Sequence, residues 1–149
     1  MKTCTFFGHR DCPEDIKPIL KRVIIDLIEN KSINKFIVGT EGKFDLIVQS
    51  VLSSLDSNTY NFNYSIILAH PPIFGKEKYL PSIDTRHTVM LPDFEKVPRK
   101  YAIDFRNNYM LKNADFVVTY INRPFGGAAK FAEKAKHQQK TIINIADVI

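Results

Sequence analysis

Residues 36–55, FIVGTEGKFDLIVQSVLSSL, decide the fold. Phe36, Ile37 and Val38 are strand formers stopped by Gly39. A short Gly-containing loop follows. Then Leu46, Ile47, Val48, Val51, Leu52 and Leu55 recur at helical spacing, which predicts a strand over 36–38 and a helix over 44–55. That is one βα unit, and it repeats on both sides. Upstream, 3–7 reads as a strand ending at Gly8. Ile16, Ile19, Leu20, Val23, Ile24, Leu27 and Ile28 then mark one helix face. Pro18 is tolerated only in a first turn, so this helix is expected to begin at 13–15. Downstream, turn chemistry at 58–63 precedes a strand at 64–69, whose consecutive Ile66, Ile67 and Leu68 predict burial on both faces. Further strands are expected at 88–91, 116–120 and 141–145, with helices at 99–112 (entered through Pro98) and 128–136.

Strands and helices alternating at this spacing imply βαβ units. The right-handed crossover rule then gives an α/β, Rossmann-like, doubly wound, mostly parallel sheet with helices on both faces, as one domain over 1–149. Residues 70–98 sit awkwardly, being longer than usual connections with only a short strand inside. A lid, a subunit contact in a homo-oligomer and a weakly periodic helix at 76–80 are all open there. Phe74, Tyr79, Leu80 and Ile83 offer either a contact surface or internal packing.

The composition agrees with a folded domain: 149 residues, 44% hydrophobic, 25% charged, Gly 6 and Pro 8 exclude disordered, collagenous and coiled-coil classes. No apolar run approaches the roughly 20 residues of a bilayer span, and MKTCTFFGHRD lacks the long apolar core of a signal peptide. The expected address is cytoplasmic, with no membrane partner. Cys4 and Cys12 cannot build a disulfide scaffold, and no Cys/His spacing suits zinc, so no metal is expected. Cys12, near a helix start, is a candidate for a lowered pKa. The net charge of +5 favours anionic partners. The cations are spread out, with a modest excess over 123–140, and Phe and Tyr mostly fall on expected core faces. A nucleic acid is therefore less favoured than a small anion.

In a doubly wound sheet, ligands bind outside the carboxyl ends of the strands. Three such ends carry Gly beside polar or basic groups: Gly8-His9-Arg10-Asp11, Gly39-Thr40-Glu41-Gly42-Lys43 with Asp45 beyond, and Asn122-Arg123-Pro124-Phe125-Gly126-Gly127-Ala128. Glycine lets backbone amides approach a ligand, a helix N-terminus favours an anion, and Arg10, Lys43 and Arg123 can bond phosphate. The sequence contains no Walker loop, no G-x-G-x-x-G after the first strand and no G-x-S-x-G. These absences exclude Walker-type ATP hydrolysis, a standard NAD dehydrogenase fingerprint and an α/β-hydrolase elbow. His9, after a buried strand and before Arg10, is expected to stay neutral. His70 is a weaker copy of that logic, and His87 and His137 show no pairing pattern.

Taken together, TFFGHRD (5–11), FIVGTEGKFD (36–45), KYAIDFRNNYMLKNADFVVTYI (100–121) and GGAAKFAEKAKHQQKTIINI (126–145) resemble the small YpsA-like branch of the SLOG superfamily. That group is related to the DprA/Smf-type proteins and the Lonely Guy enzymes. The resemblance covers nearly the whole chain, in order. It implies a Rossmann-like domain binding a nucleotide or nucleotide-derived ligand, NAD and ADP-ribose included, with no cofactor firmly implied. The motif positions fall on Gly8, His9 and Arg10; on Gly39, Gly42 and Asp45; on Arg106, Asn107 and Met110; and on Asp115, Gly126 and Gly127. Thr40 and Arg123 join them as ligand-binding candidates through their loops.

The Lonely Guy motif P-G-G-x-G-T-x-x-E aligns on Gly126-Gly127, with Ala129 and Lys130 replacing its later Gly and Thr and Glu133 on its Glu. That alignment makes Glu133 and Arg106 the candidate catalytic pair for N-glycosidic cleavage. Helical context offers Glu133 a plainer role in solvated pairs with nearby lysines, and Arg106 a solvated helix position. Three functions follow as alternatives: a nucleotide-binding or sensor domain, a nucleotide 5′-monophosphate phosphoribohydrolase, and a DNA- or protein-interaction module.

Overall fold

The computed structural model describes residues 2–69 and 87–148, less the side chain of Phe94. The expectations for His70, the helix at 76–80 and the surface of Phe74, Tyr79, Leu80 and Ile83 lie outside the described residues.

Strand β1 (Lys2–Gly8) alternates Cys4 and Phe6 with Thr5 and Phe7, and all four are buried. Burial on both faces is what a central strand requires. Parallel to it lie β2 (Ile33–Val38) on one side and β5 (Phe116–Tyr120) on the other. Beyond β2 come β3 (Asn63–Leu68) and β4 (Thr88–Met90), and beyond β5 comes β6 (Thr141–Asn144). The sheet has six strands in the order β4-β3-β2-β1-β5-β6, and each neighbouring pair is parallel.

Helices α1 (Lys17–Asn30) and α2 (Gly42–Ser54), with the short α5 (Ile145–Val148), cover one face. Leu20, Ile24, Leu27, Phe44, Val48 and Ile145 pack there on Cys4, Phe6, Phe36 and Val38. Helices α3 (Ala102–Lys112) and α4 (Gly127–His137) cover the other, where Met110, Leu111, Phe131 and Ala135 meet Phe7, Ile37, Ile67 and Val117. Phe7 and Phe131 stack with ring centroids 5.4 Å apart.

The α/β Rossmann-like fold is as expected, and its departures from the expected boundaries have local causes. A 3-10 turn (Glu14–Ile16) leads into α1, which becomes α-helical only at Lys17. An α-helix begun at Glu14 would need Pro18 to donate to the Glu14 carbonyl, and proline has no N–H. Strand β6 ends at Asn144, one residue early. The Asn144 side chain accepts from the Ile121 amide at 3.0 Å, donates to the Ile121 carbonyl at 3.0 Å and accepts from the Ala146 amide at 3.3 Å. It thereby caps α5 and ties the exit of β5. No helix among the described residues is long and apolar enough to cross a membrane.

Candidate functional site

The strand order reverses at β1. The chain runs outward through β2, β3 and β4, then returns to place β5 on the other flank of β1. Between the C-terminal ends of β1 and β5 the loops diverge and leave a crevice, the usual ligand position in an open α/β sheet. A cleft of about 340 Å³ lies there. Its walls are the end of β1 through Arg10, Glu41 and Asp45 after β2, Ile103, Arg106, Asn107 and Met110 of α3, and Arg123 with Gly126–Ala128 after β5.

At the β1 end, Gly8 admits the Phe44 ring: a Cβ there would lie 2.2 Å from Phe44 Cγ. His9 is buried. Its amide donates to the Tyr120 carbonyl at 3.2 Å, and its Nε2 accepts from the Asn122 amide at 3.3 Å. An accepting Nε2 places the proton of the neutral ring on Nδ1. Burial holds the His9 pKa below its ordinary value, Arg123 adds to this and Asp11 opposes it. The expected neutrality is present, but its causes are burial and Arg123 rather than Arg10. The Nε2 lone pair is committed to clamping the β1 and β5 loops together.

After β2, the chain is folded around two buried ions. Asp45, in the first turn of α2, accepts the Glu41 amide at 2.9 Å. Burial raises its pKa to about 6, against the opposing pull of Arg106 and the Glu41 amide. Arg106 is 1% exposed. It donates from Nε to Asn107 Oδ1 at 2.8 Å, and from Nη1 to Thr40 Oγ1 and the Ile67 carbonyl, both at 3.2 Å. Its Nη2 makes no hydrogen bond among the described residues. Burial lowers the Arg106 pKa while Asp45 and Glu41 raise it. Gly39 is required beneath this pair, because a Cβ would come 2.8 Å from Arg106 Cζ and 3.0 Å from Asp45 Oδ2.

After β5, Arg123 donates to both Asp11 carboxylate oxygens, at 2.9 and 3.2 Å. Gly126 has φ +101°, and α4 opens at Gly127 with no side chain capping it. A Cβ on Gly126 or Gly127 would meet nothing within 4 Å, and this helix start, whose first amides have no side-chain cap, lines the cleft.

Of the residues singled out in the sequence, Gly8, His9, Arg10, Asp45, Arg106, Asn107, Met110, Arg123, Gly126 and Gly127 line one cleft. Gly39, Thr40 and Gly42 do not; they stand behind it and shape it. Gly42, at φ +88°, keeps clear of Arg10, whose carbonyl accepts the Lys43 amide at 2.9 Å. The structure does not bring Glu133 and Arg106 together. Glu133 is exposed and pairs with His137 Nε2 at 3.5 Å one helical turn on, a pairing the sequence reading overlooked.

Three further expectations are corrected. Asp115 sits at the opposite edge of the sheet, where its Oδ2 accepts the Thr3 amide at 2.9 Å ahead of β5. Burial, with Asp11 and Asp15 adding to it, pushes the Cys12 thiol up to about 12 rather than down. His87 stacks on Tyr64 at 4.0 Å, with Nδ1 3.0 Å from the Tyr64 carbonyl. Ile103 is a cleft residue that the sequence did not point to, and Glu41 and Ala128 are cleft residues within the strand-end loops that were not singled out there. For Glu41 a signal existed: an acid in the loop just past the second strand.

No family model matches the sequence, and no curated protein matches it. Fold and cleft define a Rossmann-like α/β domain with an open cleft at the β1/β5 switch. In particular, the fold is like that of one solved DNA processing protein. The chain is similar to the X-ray structure of DNA processing protein A (DprA) from Streptococcus pneumoniae, with a TM-score of 0.67 and 14% identity. The match covers 95% of this chain and 49% of that one, so this chain spans about half of the DprA structure's length.

Proposed function

We propose that this chain binds a nucleotide or nucleotide-derived ligand at the C-terminal edge of its sheet, as a cytoplasmic sensor or binding domain of the YpsA-like branch. The observation that carries the reading is the pairing of two features across one cleft. On one wall the first turn of α4 is uncapped and open; on the other is a buried guanidinium with an unused Nη2. Amides and guanidinium together suit a phosphate, and Arg10 and Arg123 add charge at the rim. Ile103 and Met110 supply an apolar wall for a base. Turnover has little support, because Glu133 stands outside the cleft.

The test is a melting-temperature panel with AMP, NAD and ADP-ribose, each mixture then assayed for free base. Stabilisation without base release is expected. Gly127→Val fills the open space at α4 and should weaken binding at least about tenfold while leaving apo stability within about 0.5 kcal/mol. No shift with any of the nucleotides, or unchanged affinity in the variant, would remove the site from this cleft.

A second reading has one observation in its favour. Tyr101, Phe105 and Tyr109 stand exposed at successive helical turns, apart from the expectation that aromatics mostly lie on core faces, with Lys100 over the Tyr101 ring and Lys130 and Lys134 bonded to Asp104 and Asn108 of the same helix. Such a stripe suits stacking of single-stranded nucleic acid. DprA, which the fold is similar to, is a DNA processing protein.

A further inference from the structure

Two carboxylates line the cleft among its arginines and open helix start, buried Asp45 and partly exposed Glu41. Its backbone is fixed, since the Glu41 amide donates to buried Asp45 Oδ2 at 2.9 Å. Its Oε2 accepts from Arg10 Nη2 at 3.3 Å, and that arginine side chain is 70% exposed. Its Oε1 has no hydrogen bond among the described residues. A carboxylate so placed repels phosphate and calls for hydroxyl donors.

The sheet order sets the distance. The β2 and β5 ends flank β1, so the loops that carry Glu41 and the α4 glycines leave strand ends about two strand spacings apart, roughly 10 Å. That matches a nucleoside 5′-phosphate measured from phosphate to sugar diol, with a hydrogen bond at each end.

We infer that Glu41 is the specificity residue of the cleft, accepting the vicinal hydroxyls of a ribose and so selecting ribonucleotides with a free 2′-hydroxyl. The assignment rests on the phosphate reading above. It goes further in naming the sugar and in excluding a 2′-phosphate, which would meet the carboxylate as a like charge. Arg10 holds the Glu41 carboxylate from the solvent side and leaves its other oxygen to the ligand.

The experiment is a calorimetric titration of the full chain with AMP, 2′-deoxy-AMP and adenosine 2′,5′-bisphosphate, on the wild type and on Glu41→Gln. The wild type should prefer AMP over 2′-deoxy-AMP by about tenfold to a hundredfold, the worth of a hydrogen bond to a charged acceptor. It should bind the 2′,5′-bisphosphate more weakly still. Glu41→Gln should narrow the first gap to less than about threefold and regain affinity for the bisphosphate. Equal wild-type affinity for AMP and 2′-deoxy-AMP, or tighter binding of the bisphosphate, overturns the diol assignment and leaves the phosphate site standing. Undiminished discrimination in Glu41→Gln overturns the role of Glu41. Failure of all three ligands to bind overturns both readings.

Discussion

Asp45 is the residue whose charge state the fold alters most usefully. Its pKa rises from an ordinary 3.8 to about 6 because burial outweighs the attraction of Arg106. A carboxyl that holds its proton more tightly when folded adds stability below pH 4, and that contribution disappears as pH rises through 6. Asp45→Asn removes the titration and keeps an acceptor for the Glu41 amide. Wild-type stability relative to this variant should therefore fall by about 2–3 kcal/mol between pH 4 and pH 7. Urea unfolding at several pH values checks this, and parallel curves for the two proteins would refute it. Little of this was legible in the chain. The resemblance marks Arg106 and Asp45 as motif positions, but their shared burial follows only once the crossovers bring α3 and α2 to the same strand ends. Glycines read alike as well, yet Gly8 makes room for Phe44 whereas Gly127 borders open space.

Elements were more legible than their ends. Apolar periodicity located the helices that pack, because burial of one face is what holds them. Strand β5 was legible to the residue because polar and turn residues bound it on both sides. The end of β6 was not, since Asn144 stops it through bonds to Ile121, distant in sequence. That clamp anchors the loop carrying Arg123 and the α4 glycines. Asn144→Ala should cost about 1–3 kcal/mol, from two lost bonds to the backbone and a lost cap. It should also weaken AMP binding severalfold by loosening the loop. Faster amide exchange at Ile121 would register the local opening, and exchange as slow as in the wild type would show that the clamp is redundant.

At the scale of the molecule, the question is how its charge meets an anion. The chain carries +5, but two rim arginines are already paired, Arg10 with Glu41 and Arg123 with Asp11. A nucleotide in the cleft engages the field at one point and is partly screened by the walls. Its affinity should fall only about threefold to tenfold between 50 and 500 mM salt. A strand stacked along Tyr101, Phe105 and Tyr109 would instead place several phosphates over exposed lysines and release their counterions. With about four such contacts its affinity would fall by several hundredfold over the same range. Titrating AMP and a short oligothymidylate across that range therefore separates the two readings by slope alone. A shallow slope for AMP, with no tight oligonucleotide binding even at low salt, is the expected result. A steep slope for the oligonucleotide that survives Gly127→Val would move the function from the cleft to the outer face of α3.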